Sequence, residues 1–75
     1  MAREQEIVAE MVAAVMTVAV ESGAAVAAGD TVVLLESMKM EIPVLAESAG
    51  VVRDVRVAPG DVVQEGDVLV VLDPS

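Results

Sequence analysis

Val20-Glu21-Ser22-Gly23-Ala24-Ala25-Val26-Ala27-Ala28-Gly29-Asp30 returns as Val57-Ala58-Pro59-Gly60-Asp61-Val62-Val63-Gln64-Glu65-Gly66-Asp67, at an offset of 37 residues. The shared pattern is Val-x-x-Gly-x-x-Val-x-x-Gly-Asp, and the match runs on into the aliphatic segments behind it through Val33/Val70 and Leu35/Leu72. A glycine three residues from a valine on either side marks a turn where φ > 0 or a close backbone approach is expected, so each copy carries two turns. Two copies fall short of a solenoid, which stacks more repeats than that. They predict one domain with a pseudo-two-fold axis, each half contributing several short strands.

Working outward from the repeat, Val18 and Val20 alternate with Thr17 and Ala19, and Val55 and Val57 with Asp54 and Arg56, as half-buried strands do. Val32–Leu35 and Val68–Leu72 are unbroken apolar runs of strand length, suited to burial on both faces. No segment sustains a helical period between caps. With 18 Val and 12 Ala among 75 residues, the composition favours a pleated surface, since a branched Cβ restricts χ1. Short strands punctuated by Gly, Pro and Asp predict an all-β domain, a small sandwich or flattened barrel. The length allows a single domain. We expect a flexible polar N-terminal segment over residues 1–8 and the domain over 9–75. The symmetry also sets residue 39 where the termini fall in the other half, which places the midpoint turn at one end of the molecule and both termini at the far end.

Composition excludes much chemistry. The chain has no His, Cys or aromatic residue, and four basic against thirteen acidic side chains give a formal charge of −9. Thiol and imidazole catalysis, disulfides and the usual zinc sites are therefore unavailable, and we expect no catalytic residue and no metal. An acidic surface without aromatics is unsuited to nucleic acid, and it is repelled by anionic lipid. Met11–Val20 is apolar but spans half of the roughly 20 residues a bilayer helix needs, and the acidic residues before it have the wrong sign for a secretory leader. A soluble cytoplasmic protein with protein partners, monomeric, is the expectation.

The midpoint holds the unusual residues. Between Val32–Ser37 and Met40–Leu45 lies no Gly, Asn or Pro, yet a two-residue hairpin turn at Met38-Lys39 needs φ > 0. Such strain at an exposed tip points to function. Register makes Ser37 and Met40 neighbours across the turn. Lys39 is also the only lysine, hence the only side-chain amine that can be acylated. Taken singly, an exposed lysine reads as a solvated charge and the two methionines as adaptable core fillers; their conjunction with the strained, symmetrically placed turn favours function.

Glu36-Ser37-Met38-Lys39-Met40-Glu41 resembles the attachment site of biotinyl domains, and the likeness extends over about residues 9–73, including both Gly-Asp turns. The resemblance, strongest to small stand-alone biotin carboxyl carrier proteins, implies a flattened β-barrel of two four-stranded antiparallel sheets with the lysine on an exposed hairpin. It implies biotin, covalently held on Lys39, and recognition of Met38 and Met40 by a biotin protein ligase. Glu36, Glu41 and Glu47 are then candidates for docking, or equally solvated strand carboxylates. It further implies biotin carboxylase and carboxyltransferase subunits as partners, with an acyl-CoA as acceptor; the domain presents the cofactor and catalyses nothing itself.

Two departures from the family pattern stand out. Ala9-Glu10-Met11-Val12-Ala13 and Ala46-Glu47-Ser48-Ala49-Gly50 lack the proline of the usual Ala-Pro-x-x-Gly, and Ala13 replaces the first glycine, so a reshaped early turn is expected. Nothing is inserted between Gly23 and Gly29 to form the thumb some relatives fold over biotin, which favours a freely swinging arm. The rival readings are a lipoyl carrier, whose family motif is usually Asp-Lys-Ala, and a protein-docking β-barrel that is never acylated.

Overall fold

The offset that aligns the glycine turns also aligns the strands. In the computed structural model, which describes residues 4–74, β1 (Gln5–Val8) is followed by β2 (Ala13–Val18), β3 (Ala25–Val26) and β4 (Thr31–Ser37). Then come β5 (Met40–Leu45), β6 (Gly50–Val55), β7 (Val62–Val63) and β8 (Val68–Pro74). Adding 37 to both ends of β2, β3 and β4 gives β6, β7 and β8. Yet β2 and β6 share only Val15/Val52 and Val18/Val55. The fold repeats where the residues do not.

Two antiparallel sheets result, ordered β1-β8-β6-β3 and β5-β4-β2-β7. The all-β class is the one the residues predicted, and the division into two four-stranded sheets is the one the resemblance implied. Each half lends a short strand to the sheet of the other, β3 to β6 and β7 to β2, so the halves interlock. Even the irregularities repeat: β2 slips register against β4 between Val15 and Thr17, and β6 against β8 between Val52 and Asp54. The extra residue breaks alternation, and Met16 with Thr17, like Arg53 with Asp54, are consecutive exposed positions.

The glycine turns fasten one half to the other. Asp30 donates its N–H to the Ala27 carbonyl (3.1 Å) and accepts from the Ala27 N–H at Oδ2 (2.8 Å), with Gly29 between them at φ 93°. Gln64 to Asp67 repeats this around Gly66. A type II turn requires that positive φ at its third position. Outside the turn, the Gly29 N–H donates to the Ala46 carbonyl (2.8 Å) and the Ala46 N–H donates to the Asp30 carbonyl (2.8 Å); Ala9 makes the equivalent pair with Gly66 and Asp67.

The core is made of small branched side chains. Val32, Val33 and Leu35 of β4 and Leu69, Val70 and Leu72 of β8 are fully buried, joined by Val15, Val52, Val63, Ala9 and Ala46. Each such Val or Leu contributes about 1.5–3 kcal/mol relative to an exposed one. No polar side chain is buried among the described residues.

Three expectations need correction. Within the expected N-terminal segment 1–8, Gln5–Val8 form a strand of the domain, pairing with Leu72, Val71, Val70 and Val68 as β1. β8 is apolar throughout its centre, and without β1 its backbone groups on that side would lack partners. Residues 1–3 of that segment lie outside the described residues. The alternating strands end at Val18 and Val55, two residues early, although Val20 and Val57 still pack against the core. Nor is the early turn reshaped: Gly50 does not take a positive φ, so Ala13 fits the equivalent place, and Ala9 and Ala46 make matching hydrogen bonds. The apolar Met11–Val20 stretch contains β2, and no helix among the described residues is long and apolar enough to cross a membrane.

Candidate functional site: the Met38–Lys39 hairpin

β4 and β5 run paired from Thr31↔Leu45 to Ser37↔Met40, leaving Met38 and Lys39 as a two-residue loop. Their φ values are 52° and 65°, and among the described residues they are the only non-glycine positions with positive φ. Two consecutive left-handed residues define the type I′ hairpin, whose twist matches that of the strands it joins. Elsewhere among the described residues φ > 0 falls on glycine. Here it falls on two residues with long side chains, at a cost of about 1–2 kcal/mol each.

The hairpin holds those side chains outward. Met38 is 92% exposed and Met40 65%. Met40 shares the inward-facing register of Ile42 and Val44 but is exposed and stands outside the core cluster. Core filling is thereby excluded for both methionines. Lys39 is exposed and makes no ion pair, whereas Arg53 pairs with Glu4 and Asp73, and Arg56 with Asp54. Among the described residues Lys39 is thus the unpaired cation, exposed at the tip.

Directly beneath the tip, Glu36 and Glu41 face each other across the ladder. Like charges in that position oppose pairing by about 0.2–1 kcal/mol. Glu47 is not part of this group: it follows β5 at the other end of the hairpin, beside Ala46 and its bonds to the Gly29 turn. That end is also where the chain begins its first strand, because Ser48 Oγ donates to Gln5 Oε1 (2.8 Å). The tip and the start of the barrel lie at opposite ends of a molecule 39 Å long and about 18 Å across, as the symmetry predicted.

A groove of about 470 Å³ runs between the edge strands β1 and β5 over Leu35, and its lining includes none of Met38–Glu41. Between Gly23 and Gly29 the chain is taken up by β3 and its turn, with nothing reaching toward the tip. The sequence reading passed over one residue, Met16, which the β2 bulge exposes on the strand next to Glu36. Only the alignment of the two bulges, which pairs Met16 with Arg53, could have drawn attention to it.

Known proteins share the fold. The long-chain acyl-CoA carboxylase, a single-chain, multi-domain enzyme, is similar over 96% of this chain and 7% of its own, with a TM-score of 0.91 and 36% identity. The Kluyveromyces lactis urea carboxylase is similar over 93% of this chain and 6% of its own, at a TM-score of 0.87 and 30% identity. Over 41 residues the chain is 58% identical to the biotinylated protein TB7.3 of Mycobacterium tuberculosis strain H37Rv, covering 55% of this chain and 58% of that protein. The homolog from Mycolicibacterium smegmatis matches to the same extent. The stretch thus spans little more than half of these relatives' length, and a small part of either carboxylase. Residues 5–72 match the family model described as biotin-requiring enzyme, and the chain belongs to this biotin/lipoyl attachment family as a biotinyl carrier domain.

Proposed function

We propose that Lys39 is the acceptor and that the domain carries biotin between the active sites of a carboxylase. The observation that supports this most directly is the hairpin itself: the one lysine of the chain stands unpaired on a strained, fully presented turn between two exposed methionines. The turn holds the amine clear of the barrel, so an incoming acyl group meets no wall. A biotin protein ligase recognises Met38 and Met40 and brings biotinyl-adenylate to the tip. The Lys39 nitrogen attacks the acyl carbon, the N–C bond forms as the C–O bond to phosphate breaks, AMP leaves with the electron pair, and the amine gives up a proton. The product amide is neutral, which removes an ammonium group that would otherwise demand solvation.

Biotin then carries the chemistry, and the domain supplies reach and presentation. The arm swings freely, since the shortness of the Gly23–Gly29 segment supports no clamp. A biotin carboxylase subunit and a carboxyltransferase subunit are its partners, with an acyl-CoA as acceptor, consistent with likeness to an acyl-CoA carboxylase domain. We place it in the cytoplasm, where an ATP-dependent ligase and carboxylase work, and as a monomer presenting one arm.

Intact mass and peptide mapping after co-expression with a biotin protein ligase test this reading. A biotinyl increment confined to Lys39 is the expected result. A lipoyl increment in the native host would transfer the carrier role to lipoate, and an unmodified Lys39 alongside a fully acylated control domain would leave a docking module.

A further inference from the structure

The pseudo-two-fold axis supplies an internal control for the tip. On the outer face of the β1-β8-β6-β3 sheet, Arg53 is the extra residue of the β6 bulge and reaches Glu4 (Nε to Oε2, 2.6 Å) and Asp73 (Nη1 to Oδ2, 3.6 Å). The same offset of 37 carries Arg53 to Met16, Asp73 to Glu36 and Glu4 to Glu41. Met16 is likewise the extra residue of the β2 bulge, and Glu36 and Glu41 are register partners on the two strands beyond it. One end therefore has two carboxylates bridged by a guanidinium. The other has two carboxylates and a thioether, and among the described residues no cation lies within salt-bridge distance of either acid.

The bare pair is a disadvantage to the isolated domain, because like charges opposite one another weaken a ladder. A single side chain in the bulge relieves that repulsion at the other end. Leaving it unrelieved beside the acceptor lysine makes sense when a partner supplies the cation. The unmodified lysine is only one side chain long, so the enzyme that acylates it must cover the hairpin, whereas biotin on the lysine meets later partners at arm's length.

Resting on the acceptor reading above, we propose that Met16, Glu36 and Glu41 form the docking surface for the acylating ligase, whose cationic patch takes the place that Arg53 fills at the opposite end. Met16 contributes an apolar contact and, by not being arginine, keeps the pair available. Charge complementarity of this kind acts on encounter and is screened by salt.

The test is initial-rate acylation of the purified chain by a bacterial biotin protein ligase with biotin and ATP, over a range of chain and salt concentrations. Met16→Arg should raise KM about tenfold at low salt, leave kcat unchanged and flatten the salt dependence, while the melting temperature stays at or above that of the wild type. Glu36→Gln with Glu41→Gln, which introduces no larger side chain, should give the same KM rise. Arg53→Met, which bares the other pair, and Ala28→Arg, which adds the same charge on the Gly29 turn at the far end, should leave KM unchanged. A wild-type KM and salt slope for Met16→Arg would overturn the proposal, as would an equal KM rise for Ala28→Arg. If the wild-type chain is not acylated while a known acceptor domain is, the acceptor reading fails and takes this surface with it.

Discussion

The Gly29 turn and the Met38–Lys39 turn ask the backbone for the same thing and answer it differently. Both need φ > 0; the first uses glycine and is closed on both sides by Asp30, whereas the second uses methionine and lysine, neither of which favours that conformation. The first turn is itself exposed, but its hydrogen bonds to the buried Ala46 tie it to the other half, and it serves the fold. The second is exposed throughout, and its strained backbone presents an amine and two thioethers to solvent. Where a chain tolerates strain with no packing to show for it, the residues are retained for what they present.

Several changes would break or sharpen that contrast, and the largest concerns the tip. Lys39→Arg keeps the charge and removes the only acylable side-chain amine; acceptor capacity measured by biotin incorporation should fall to nothing while the denaturation midpoint is unchanged. Next come Gly29→Val and Gly66→Val. A Cβ at either glycine meets no atom within 4 Å, so the penalty is the backbone alone, at φ 93° and 92°. Denaturant titration should show a loss of about 1–3 kcal/mol for each. Replacing Met38-Lys39 by Asn-Gly, the pair favoured in type I′ turns, should stabilise the hairpin by about 1 kcal/mol while abolishing acylation. Should that variant prove no more stable, the tip is not strained and the contrast with Gly29 disappears. Smallest is Lys39→Ala, expected to lie within about 0.5 kcal/mol of wild type, as exposed surface substitutions do. A clear loss of stability there would move the lysine into the fold's own machinery.

Much of the architecture was legible because it is periodic. The spacing of Gly23, Gly29, Gly60 and Gly66 marked the turns, and the apolar runs marked β4 and β8, whose centres are buried. The hairpin at Met38-Lys39 was legible from an absence, since two strand-like runs met with no turn residue between them. What stayed hidden were the features that depend on neighbours. Gln5–Val8 looked like a polar end because Gln5 and Glu6 face outward, and only the exposed edge of β8 makes them a strand. The bulges at Met16 and Arg53 shift the inside–outside alternation by one residue, which no fixed period can register. Glu47 was grouped with Glu36 and Glu41 by proximity in sequence, and the length of β5 carries it to the other end.

By itself the sequence determined the all-β class, the doubled plan, the positions of the glycine turns and the single acceptor candidate, because these follow from local backbone preference and from residue types present or missing. Tertiary structure alone decided how the halves exchange β3 and β7, that the first strand completes the barrel, and that one acidic pair is bridged while its counterpart beneath the lysine is bare. Those outcomes turn on which side chains a bulged strand exposes and what lies across the sheet from them, and contacts between residues 20 or more positions apart exist only once the chain has closed on itself.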